Sequence, residues 1–274
     1  MNLRMASMDY QEILKKCQKL SQVLQKILKA KNRHDSEFIK LLRSALAAAQ
    51  EFPQEQLTIN LESHLKDLEA QNQELLRRRR ESLLFGAKEA GLPHKRFEAY
   101  DRIGPCKVSY RDKKVVLEIG SEKLRELEEV DGSQLLATIR ESLTSFEKEP
   151  FNRQEFFRLL KRAYSILREE QKARDGWVPI RELFPVFVLT RQLANRAFMA
   201  KPESRNFQSY STAQFVYDLS RFGRQDWGCN GERVETRTPS MRETQYAMTL
   251  PNLDSVEKSG PQIAHFRIVK REIR

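Results

Sequence analysis

The sequence predicts a mainly α-helical protein with a small α+β region in its middle. Ten glycines and ten prolines make up about 7% of the 274 residues, against a usual share of about 12%, so turns are few. Apolar residues in the first third recur every three or four positions, as they do in amphipathic helices. Between residues 94 and 120 the pattern changes to short segments rich in β-branched and aromatic residues, which indicate strands.

The first predicted helix carries a single apolar stripe. Its members alternate in spacings of three and four residues: Tyr10, Ile13, Cys17, Leu20, Leu24 and Ile27. Such spacing marks the a and d positions of a helix that pairs along one seam. The stripe is short enough to fit a helical bundle as well as a coiled coil. Four of its residues are the candidate contacts to a protein partner or to a second copy of this chain: Ile13, Leu20, Leu24 and Ile27.

Two further helices complete a predicted docking or oligomerisation region over residues 1–90. The second helix extends from Phe38 to Ala49, and Pro53 closes it. The third begins after Thr58, a favourable cap, and keeps a leucine rhythm as far as Leu76.

Four consecutive arginines follow on the third helix: Arg77, Arg78, Arg79 and Arg80. Consecutive helical residues point around the whole circumference of a helix, and charges are costly to bury without partners. The run is therefore either a solvated helix end or a secondary basic patch that contacts phosphate or an acidic partner.

Residues 91–150 are predicted to form a small α+β domain. The segments FEAYDRI, CKVSY and KVVLEIG suit an antiparallel sheet around a turn at Arg111-Asp112-Lys113. Residues 121–129 and 133–148 carry leucines at helical spacing, so two helices are expected to cover the sheet. Pro150 is the expected boundary.

One pair of acids in this middle domain suggests a metal-dependent nuclease as an alternative. Asp112 in the turn and Glu118 in the next strand have the chemistry to ligate a divalent cation. A site of that kind also needs a cation near the scissile phosphate. Gly120 stands where its lysine is expected, which disfavours the nuclease.

Residues 151–274 are predicted to begin with a strong amphipathic helix, capped by Asn152 with Glu155 three residues later. A short apolar segment, WVPI, comes next and is followed by a helical segment that Pro185 interrupts. Two helices and two strands are expected to follow: Arg191–Ala200, Ser211–Phe222, Glu232–Arg237 and Glu243–Leu250. Residues 238–242 would join the two strands into a hairpin.

This order of helix, short strand, helix, helix and hairpin resembles a winged helix-turn-helix domain from Asn152 to Leu250. The resemblance implies that one helix, Arg191–Ala200 or Ser211–Phe222, enters the major groove of DNA while the hairpin contacts the backbone or the minor groove. Arginine suits such contacts because its planar fork binds phosphate or guanine in bidentate fashion. Seven candidate DNA contacts follow from the resemblance: Arg191, Arg196, Arg221, Arg224, Arg233, Arg237 and Arg242.

The distribution of charge favours the same region. The chain has a net charge of +11, and residues 151–274 contain 22 Lys and Arg against 14 Asp and Glu. The corresponding counts are 16 against 12 for residues 1–90 and 11 against 12 for residues 91–150. A basic surplus favours polyanions, and phosphate contact is insensitive to sequence. Double-stranded DNA, bound non-specifically, is therefore the expected partner.

Motifs for catalysis, cofactors and membrane insertion are missing from the sequence. It contains no GxxxxGK[ST], GxGxxG, HExxH or GxSxG motif, and its four histidines are dispersed. The longest apolar runs fall far short of the ~18 residues that cross a bilayer. We therefore expect no catalytic residues, no cofactor, no metal site and no membrane contact. The expected location is cytoplasmic, on the nucleoid if the source is bacterial.

Together these features predict a non-enzymatic subunit of a larger DNA-associated assembly that binds DNA and docks proteins. The architecture is similar to that of accessory subunits of DNA-organising or DNA-defence ATPase complexes, which suggests a function in genome maintenance or defence. Two alternatives stay open: a metal-dependent nuclease or other DNA-processing enzyme, and a purely structural adaptor that makes no nucleic-acid contact.

Replacing both Leu20 and Leu24 by Asp should disrupt association with a partner while the rest of the chain stays folded. Two charges on the predicted seam cannot be buried against an apolar partner without a large desolvation cost. Co-purification measures the association, and circular dichroism measures the folding. Retention of every partner by the double variant would contradict a docking function for this stripe.

Overall fold

The computed structural model describes residues 15, 18–27, 36–49, 55–111, 114–128, 130–148, 150–171, 175–224 and 226–271. The chain divides into two compact units, residues 1–81 and residues 82–274. Among the described residues, no helix combines the length and the apolar character needed to cross a membrane.

The first unit is helical wherever it is described. Residues 18–27 form a helix, helix α1 spans Ser36–Ala49, and helix α2 spans Glu55–Glu89 and continues into the second unit. A small apolar cluster joins α1 to α2: Phe38, Ile39, Leu42 and Leu68, with Ile27 and Leu65 packed against it. These helices form because their apolar residues repeat at helical spacing and gain burial on one face.

The second unit begins with a five-stranded antiparallel sheet in which neighbours along the chain are neighbours in space. Its strands are β1 His94–Arg96, β2 Tyr100–Ile103, β3 Cys106–Arg111, β4 Lys114–Ile119 and β5 Glu122–Glu128. The end of α2 and helix α3, Gly132–Glu147, cover one face. The core between them contains Leu83, Ile103, Val108, Leu117, Leu135 and Ile139, all fully buried.

Strand β5 corrects the prediction of a helix over residues 121–129. Leu124 and Leu127 are three residues apart, which fits a helix, yet both pack against the core of this sheet. A β-bulge explains why both leucines face this core. Pairing with β4 shifts between Leu117 and Glu118, which leaves Leu124 as an extra residue. The extra residue brings the two leucines to the same side. The predicted helix over 133–148 does form, as α3.

Helix α4, Arg153–Gln171, and helix α7, Thr212–Gly223, begin where the sequence predicts. Between them lie helix α5, Ile180–Ala194, and the short helix α6, Arg196–Ala200. The predicted helix Arg191–Ala200 is therefore not continuous. Asn195 separates the two helices, because its side-chain oxygen accepts a hydrogen bond from the Ala197 N–H at 3.1 Å and so caps α6.

Six strands accompany these helices: β6 Val178–Pro179, β7 Gly228–Cys229, β8 Glu232–Arg237, β9 Met248–Thr249, β10 Gln262–Ile263 and β11 His265–Lys270. Four of them form an antiparallel sheet in the order β6-β11-β8-β7, and β9 pairs with β10. The aromatic core under the four-stranded sheet includes Phe157, Phe187, Phe215, Phe222 and Phe266, each at most 2% exposed.

The predicted hairpin between Glu232–Arg237 and Glu243–Leu250 is wrong. Strand β8 pairs instead with β11, in register from Arg237 opposite His265 to Glu232 opposite Lys270. The partner strand lies close to the end of the chain, beyond the part for which the sequence suggested any element. The error was to assume that β8 pairs with the next apolar segment along the chain.

The predicted fold class, mainly α with a small α+β middle region, is also wrong. Within the described residues, eleven strands run from His94 to Lys270 and form antiparallel sheets of five, four and two strands. Sheet structure thus extends through the C-terminal part that was assigned to a winged-helix-like domain.

The long segment 238–264, which joins β8 to β11, is held against the five-stranded sheet. The backbone N–H of Ser121 donates to the carbonyl of Thr249 at 3.0 Å, and the Thr249 N–H donates to the Ser121 hydroxyl at 3.0 Å. Farther along the segment, Arg102 donates to the carbonyl of Lys258 at 2.7 Å. The sheet and the C-terminal elements are therefore connected by directed hydrogen bonds.

Gly120 is required at the point where Thr249 approaches. Its φ is +59°, and a Cβ added there would lie 1.9 Å from the Thr249 carbonyl oxygen. Only glycine combines this left-handed conformation with such a close contact. The residue in place of the nuclease lysine thus has a structural reason to be glycine.

Gly120→Ala should lower the free energy of unfolding more than Gly104→Ala. Gly104 is the matched control, because its φ is +54° and nothing lies within 4 Å of its added Cβ. Gly104→Ala should lower the free energy of unfolding by about 1–2 kcal/mol because of the left-handed conformation. Gly120→Ala should lower it by a further ~1–3 kcal/mol because of overpacking. Urea denaturation measures both; equal losses would show that the contact with Thr249 is unimportant.

Candidate functional site

The seven arginines predicted as DNA contacts lie in three different environments. They occupy a groove (Arg191 and Arg221), surface ion pairs (Arg224 and Arg233) and open surface (Arg196, Arg237 and Arg242). Arg191 and Arg221 thus line the same groove, whereas the other five arginines are not part of its lining.

The groove lies within the second unit, between the end of α3, the linker before α4, and helices α4, α5 and α7. Its volume is about 1180 Å³. Aromatic and aliphatic side chains form much of its wall: Phe146, Phe151, Phe156, Phe184, Leu189 and Phe207. Apolar walls with a few convergent polar groups are typical of binding sites.

Arg191 projects from the last turn of α5 into this groove. Its guanidinium stacks on the ring of Tyr210, 4.3 Å from the ring centroid. Its Nε is buried and has no hydrogen-bond partner among the described residues. The nearby carboxylate of Glu155 is held instead by Arg158, at 2.7 and 2.6 Å.

Asp218 lies on the buried face of α7 and is 7% exposed. The Tyr210 hydroxyl donates to its carboxylate at 2.7 Å, and the Gln214 side-chain amide donates at 3.0 Å. Arg221 stacks over the ring of Phe151, 4.6 Å from its centroid, and approaches Asp218 at 3.6 Å. The acid is therefore satisfied mainly by neutral donors.

Burial determines the ionisation of this cluster. It raises the pKa of Asp218, and the hydrogen bonds from Gln214 and Tyr210 act in the opposite direction. Burial likewise raises the pKa of Tyr210 well above its usual value, with the charge of Asp218 as the next cause. Tyr210 is therefore a protonated donor at neutral pH, and the carboxylate of Asp218 depends on it.

Two of the predicted contacts form ion pairs on the surface. Arg224 pairs with Asp254 at 2.6 Å, and Arg233 pairs with Glu235. By contrast, Arg196, Arg237 and Arg242 are exposed and form no hydrogen bond or ion pair with another described residue.

The secondary basic patch is partly neutralised on its own helix. Arg77 bonds to Glu74 and Glu81, and Arg78 also bonds to Glu74, each at 2.7 Å. Hydrogen bonds from Arg77 and Arg78 lower the pKa of Glu74 to about 2. Arg79 and Arg80 are half-buried.

The predicted docking stripe is described in part. Leu20, Leu24 and Ile27 are half-buried, and Ile27 packs against the cluster between α1 and α2. Ile13 lies outside the described residues.

Only one of the two acids of the nuclease alternative lies among the described residues. Asp112 lies outside the described residues. The carboxylate of Glu118 pairs with Lys107 at 2.9 Å across β3 and β4. Among the described residues there is no group of three or more His, Cys, Asp or Glu side chains placed to hold a metal ion.

Sequence reasoning missed Tyr210 and Asp218, although one signal was present. Asp218 falls on the same face of α7 as Phe215 and Phe222, so a charge interrupts an otherwise apolar stripe. A charge in that position needs a partner, which Tyr210 and Gln214 supply. Gln214 stands three residues after Ser211, the spacing of a capping box, but its side chain donates to Asp218 instead.

Comparison with known proteins adds no assignment: no family model, no curated protein and no solved structure matches this chain.

Tyr210→Phe should lower the free energy of unfolding by about 1–3 kcal/mol at neutral pH, because it leaves a buried carboxylate short of a donor. Tyr246→Phe, at a site 59% exposed, is the matched control and should change little.

The pH dependence of this loss of stability tests whether the Asp218 carboxylate causes it. Without the hydroxyl, the pKa of Asp218 should rise further above its ordinary value of 3.8. A raised carboxyl pKa favours the protonated form in the folded state. The protonated Asp218 therefore contributes to stability at low pH, and this contribution is lost as the pH rises. The difference between parent and variant should therefore shrink as pH falls from neutral toward 3.8. A difference that is constant in urea titrations across this range would contradict the argument.

Proposed function

We propose that this chain is a non-enzymatic subunit that binds duplex DNA without strong sequence preference and docks on a larger assembly. The observation that supports DNA contact is the exposure of Arg196, Arg237 and Arg242, none of which forms a hydrogen bond or ion pair with another described residue. They lie in residues 151–274, where 22 Lys and Arg stand against 14 Asp and Glu. A subunit of this kind would work in the cytoplasm, on the nucleoid if the source is bacterial.

Arg237 and Arg242 stand close together in the chain, at the end of β8 and in the turn after it. Glu235, two residues before Arg237, pairs with Arg233 and Arg267. Glu243, the residue after Arg242, accepts hydrogen bonds from the Ser240 N–H at 2.9 Å and the Ser240 hydroxyl at 2.6 Å. Glu243 therefore bonds to its own turn, and the guanidinium donors of both arginines remain available to phosphate oxygens.

The other four predicted contacts have less to offer a DNA backbone. Arg224 and Arg233 already bond to carboxylates, so their guanidinium groups would have to exchange partners. Arg191 and Arg221 are recessed in the groove and stack on aromatic rings. We therefore restrict the proposed phosphate contacts to the three exposed arginines.

The proposal assigns no catalytic function to the middle domain. Glu118 is engaged by Lys107, and Gly120 is required by the approach of Thr249. Both residues thus have structural explanations. Partner docking is assigned to residues 1–90, through the half-buried leucine stripe of the first helix.

A triple variant, Arg196→Gln with Arg237→Gln and Arg242→Gln, should weaken the binding of the full chain to a labelled DNA duplex. The dependence of affinity on salt should also become shallower, by about one unit of log–log slope for each phosphate that the variant no longer neutralises. Fluorescence titration at two salt concentrations measures both effects.

The matched control removes three positive charges from the middle domain: Lys114→Gln, Lys123→Gln and Arg125→Gln. These side chains are exposed and pair with Glu126 or Glu141. If both triple variants weaken binding equally, net charge rather than the three arginines is responsible. If the parent does not bind DNA, the chain is a structural adaptor instead. Binding that is independent of salt would contradict contact through phosphates.

A further inference from the structure

Arg191 is a cation for which the described part of the chain provides no hydrogen-bond acceptor. Its Nε is buried and unpartnered, and its guanidinium forms no hydrogen bond or ion pair with another described residue. A buried donor without an acceptor costs stability and is rare in native proteins. The terminal guanidinium nitrogens are not among the buried unpartnered atoms, and Arg191 lines the groove, so a bound molecule can bring an acceptor to them.

The acids of the groove lie near Arg191, and its charge favours the ionised form of both Glu155 and Asp218, but both carboxylates take their hydrogen bonds from other residues. Glu155 accepts two hydrogen bonds from Arg158, and Asp218 accepts from Tyr210 and Gln214. Stacking on Tyr210 fixes the plane of the Arg191 guanidinium. The N–H donors at the edge of that plane can still bond to an acceptor. The groove thus presents an oriented cation that is matched to a carboxylate or similar anion.

An exposed apolar surface continues the groove along α5. Leu189 is 61% exposed and Leu193 is 43% exposed, and Pro185 lies on the same face at four-residue spacing. Phe207, at 43% exposure, stands beside them on the groove wall. Contiguous exposed apolar side chains next to a cleft are typical of protein-interaction sites.

We propose that this groove binds a short segment of a partner protein in which apolar side chains flank an acidic residue. The carboxylate would accept hydrogen bonds from Arg191, and the apolar side chains would cover Leu189 and Phe207. This docking site goes beyond the proposed function, which places docking in residues 1–90.

Size and charge favour a peptide over a nucleotide or a DNA phosphate. A volume of about 1180 Å³ exceeds the range of about 300–1000 Å³ that is usual for small-molecule sites. The carboxylates of Glu155 and Asp218 also lie in the groove and would repel a multiply charged phosphate chain. A single carboxylate meets less repulsion and gains apolar burial on both sides.

The test uses the full chain, immobilised and challenged with a phage library of random dodecapeptides. Selected peptides should contain Asp or Glu between aliphatic or aromatic residues, and fluorescence polarisation of a labelled peptide should give its affinity. Arg191→Gln should weaken that affinity about tenfold or more. Replacing the acidic residue of the peptide by its amide should weaken it similarly, and the two changes together should cost little more than either one.

Two matched controls separate this site from general effects. Arg162→Gln removes the same charge from the exposed face of α4, and Ile166→Ser removes an apolar side chain there that is 41% exposed. Both should leave peptide affinity unchanged, whereas Leu189→Ser should reduce it. Circular dichroism should show that Arg191→Gln still folds, so that its loss of affinity reports the missing guanidinium and not unfolding.

Several outcomes would overturn the proposal: no selected peptide, peptides without an acidic residue, or equal affinity for the parent and Arg191→Gln. Displacement of the peptide by a short DNA duplex would assign the groove to DNA instead, and displacement by ATP would assign it to a nucleotide. The DNA-binding test relies on three other arginines, so either proposal can fail while the other stands.

Discussion

The approach of the Thr249 backbone to Gly120 connects the two halves of the second unit. Strands β8 and β11 are neighbours in one sheet, so the segment between them must leave that sheet and return. It does so across the turn between β4 and β5, where hydrogen bonds to Ser121 hold it. Ile119, one residue before Gly120, is buried in the large C-terminal core. The groove depends on this connection, because α3 covers the five-stranded sheet while α4, α5 and α7 belong to the C-terminal layer.

The groove also shows how one residue type is adapted to different contacts. A guanidinium can pack its face on an aromatic ring and still donate hydrogen bonds from its edge. Arg191 and Arg221 use Tyr210 and Phe151 in this way, so they tolerate a recessed position. The exposed arginines keep full hydration and long reach, which suits contacts to a charged backbone. Burial and stacking, rather than sequence position, therefore separate the arginine proposed to bind a peptide from those proposed to bind phosphate.

Local signals were predictable where local physics decides the outcome. The Asn152 side chain accepts from the Glu155 N–H at 3.0 Å, and the Ser211 hydroxyl accepts from the Gln214 N–H at 3.1 Å, as the capping patterns indicate. Their side chains bond within the same helix: Glu155 binds Arg158, and Gln214 binds Asp218, at spacings of three and four residues that helical geometry brings together. Local spacing could not show that Glu155 and Gln214 line one groove, which forms only when α4, α5 and α7 pack together. The sequence identified Arg191 and Arg221 as functional candidates but could not show that they share a site.

The amphipathic helices, the caps at Asn152 and Ser211, the strands between residues 100 and 119 and the basic surplus of the last part follow from the amino-acid sequence alone, since each depends on neighbours within a few residues. The predicted cap at Thr58 is wrong, because that helix begins at Glu55. The tertiary structure decided the rest: β5 in place of a helix, β11 as the partner of β8, the conformation of Gly120 and the pairing of Asp218 with Tyr210. These features depend on groups that are distant in the chain or on a bulge that changes which side a residue faces. Periodicity records which residues gain from burial, but only the assembled fold specifies what they are buried against.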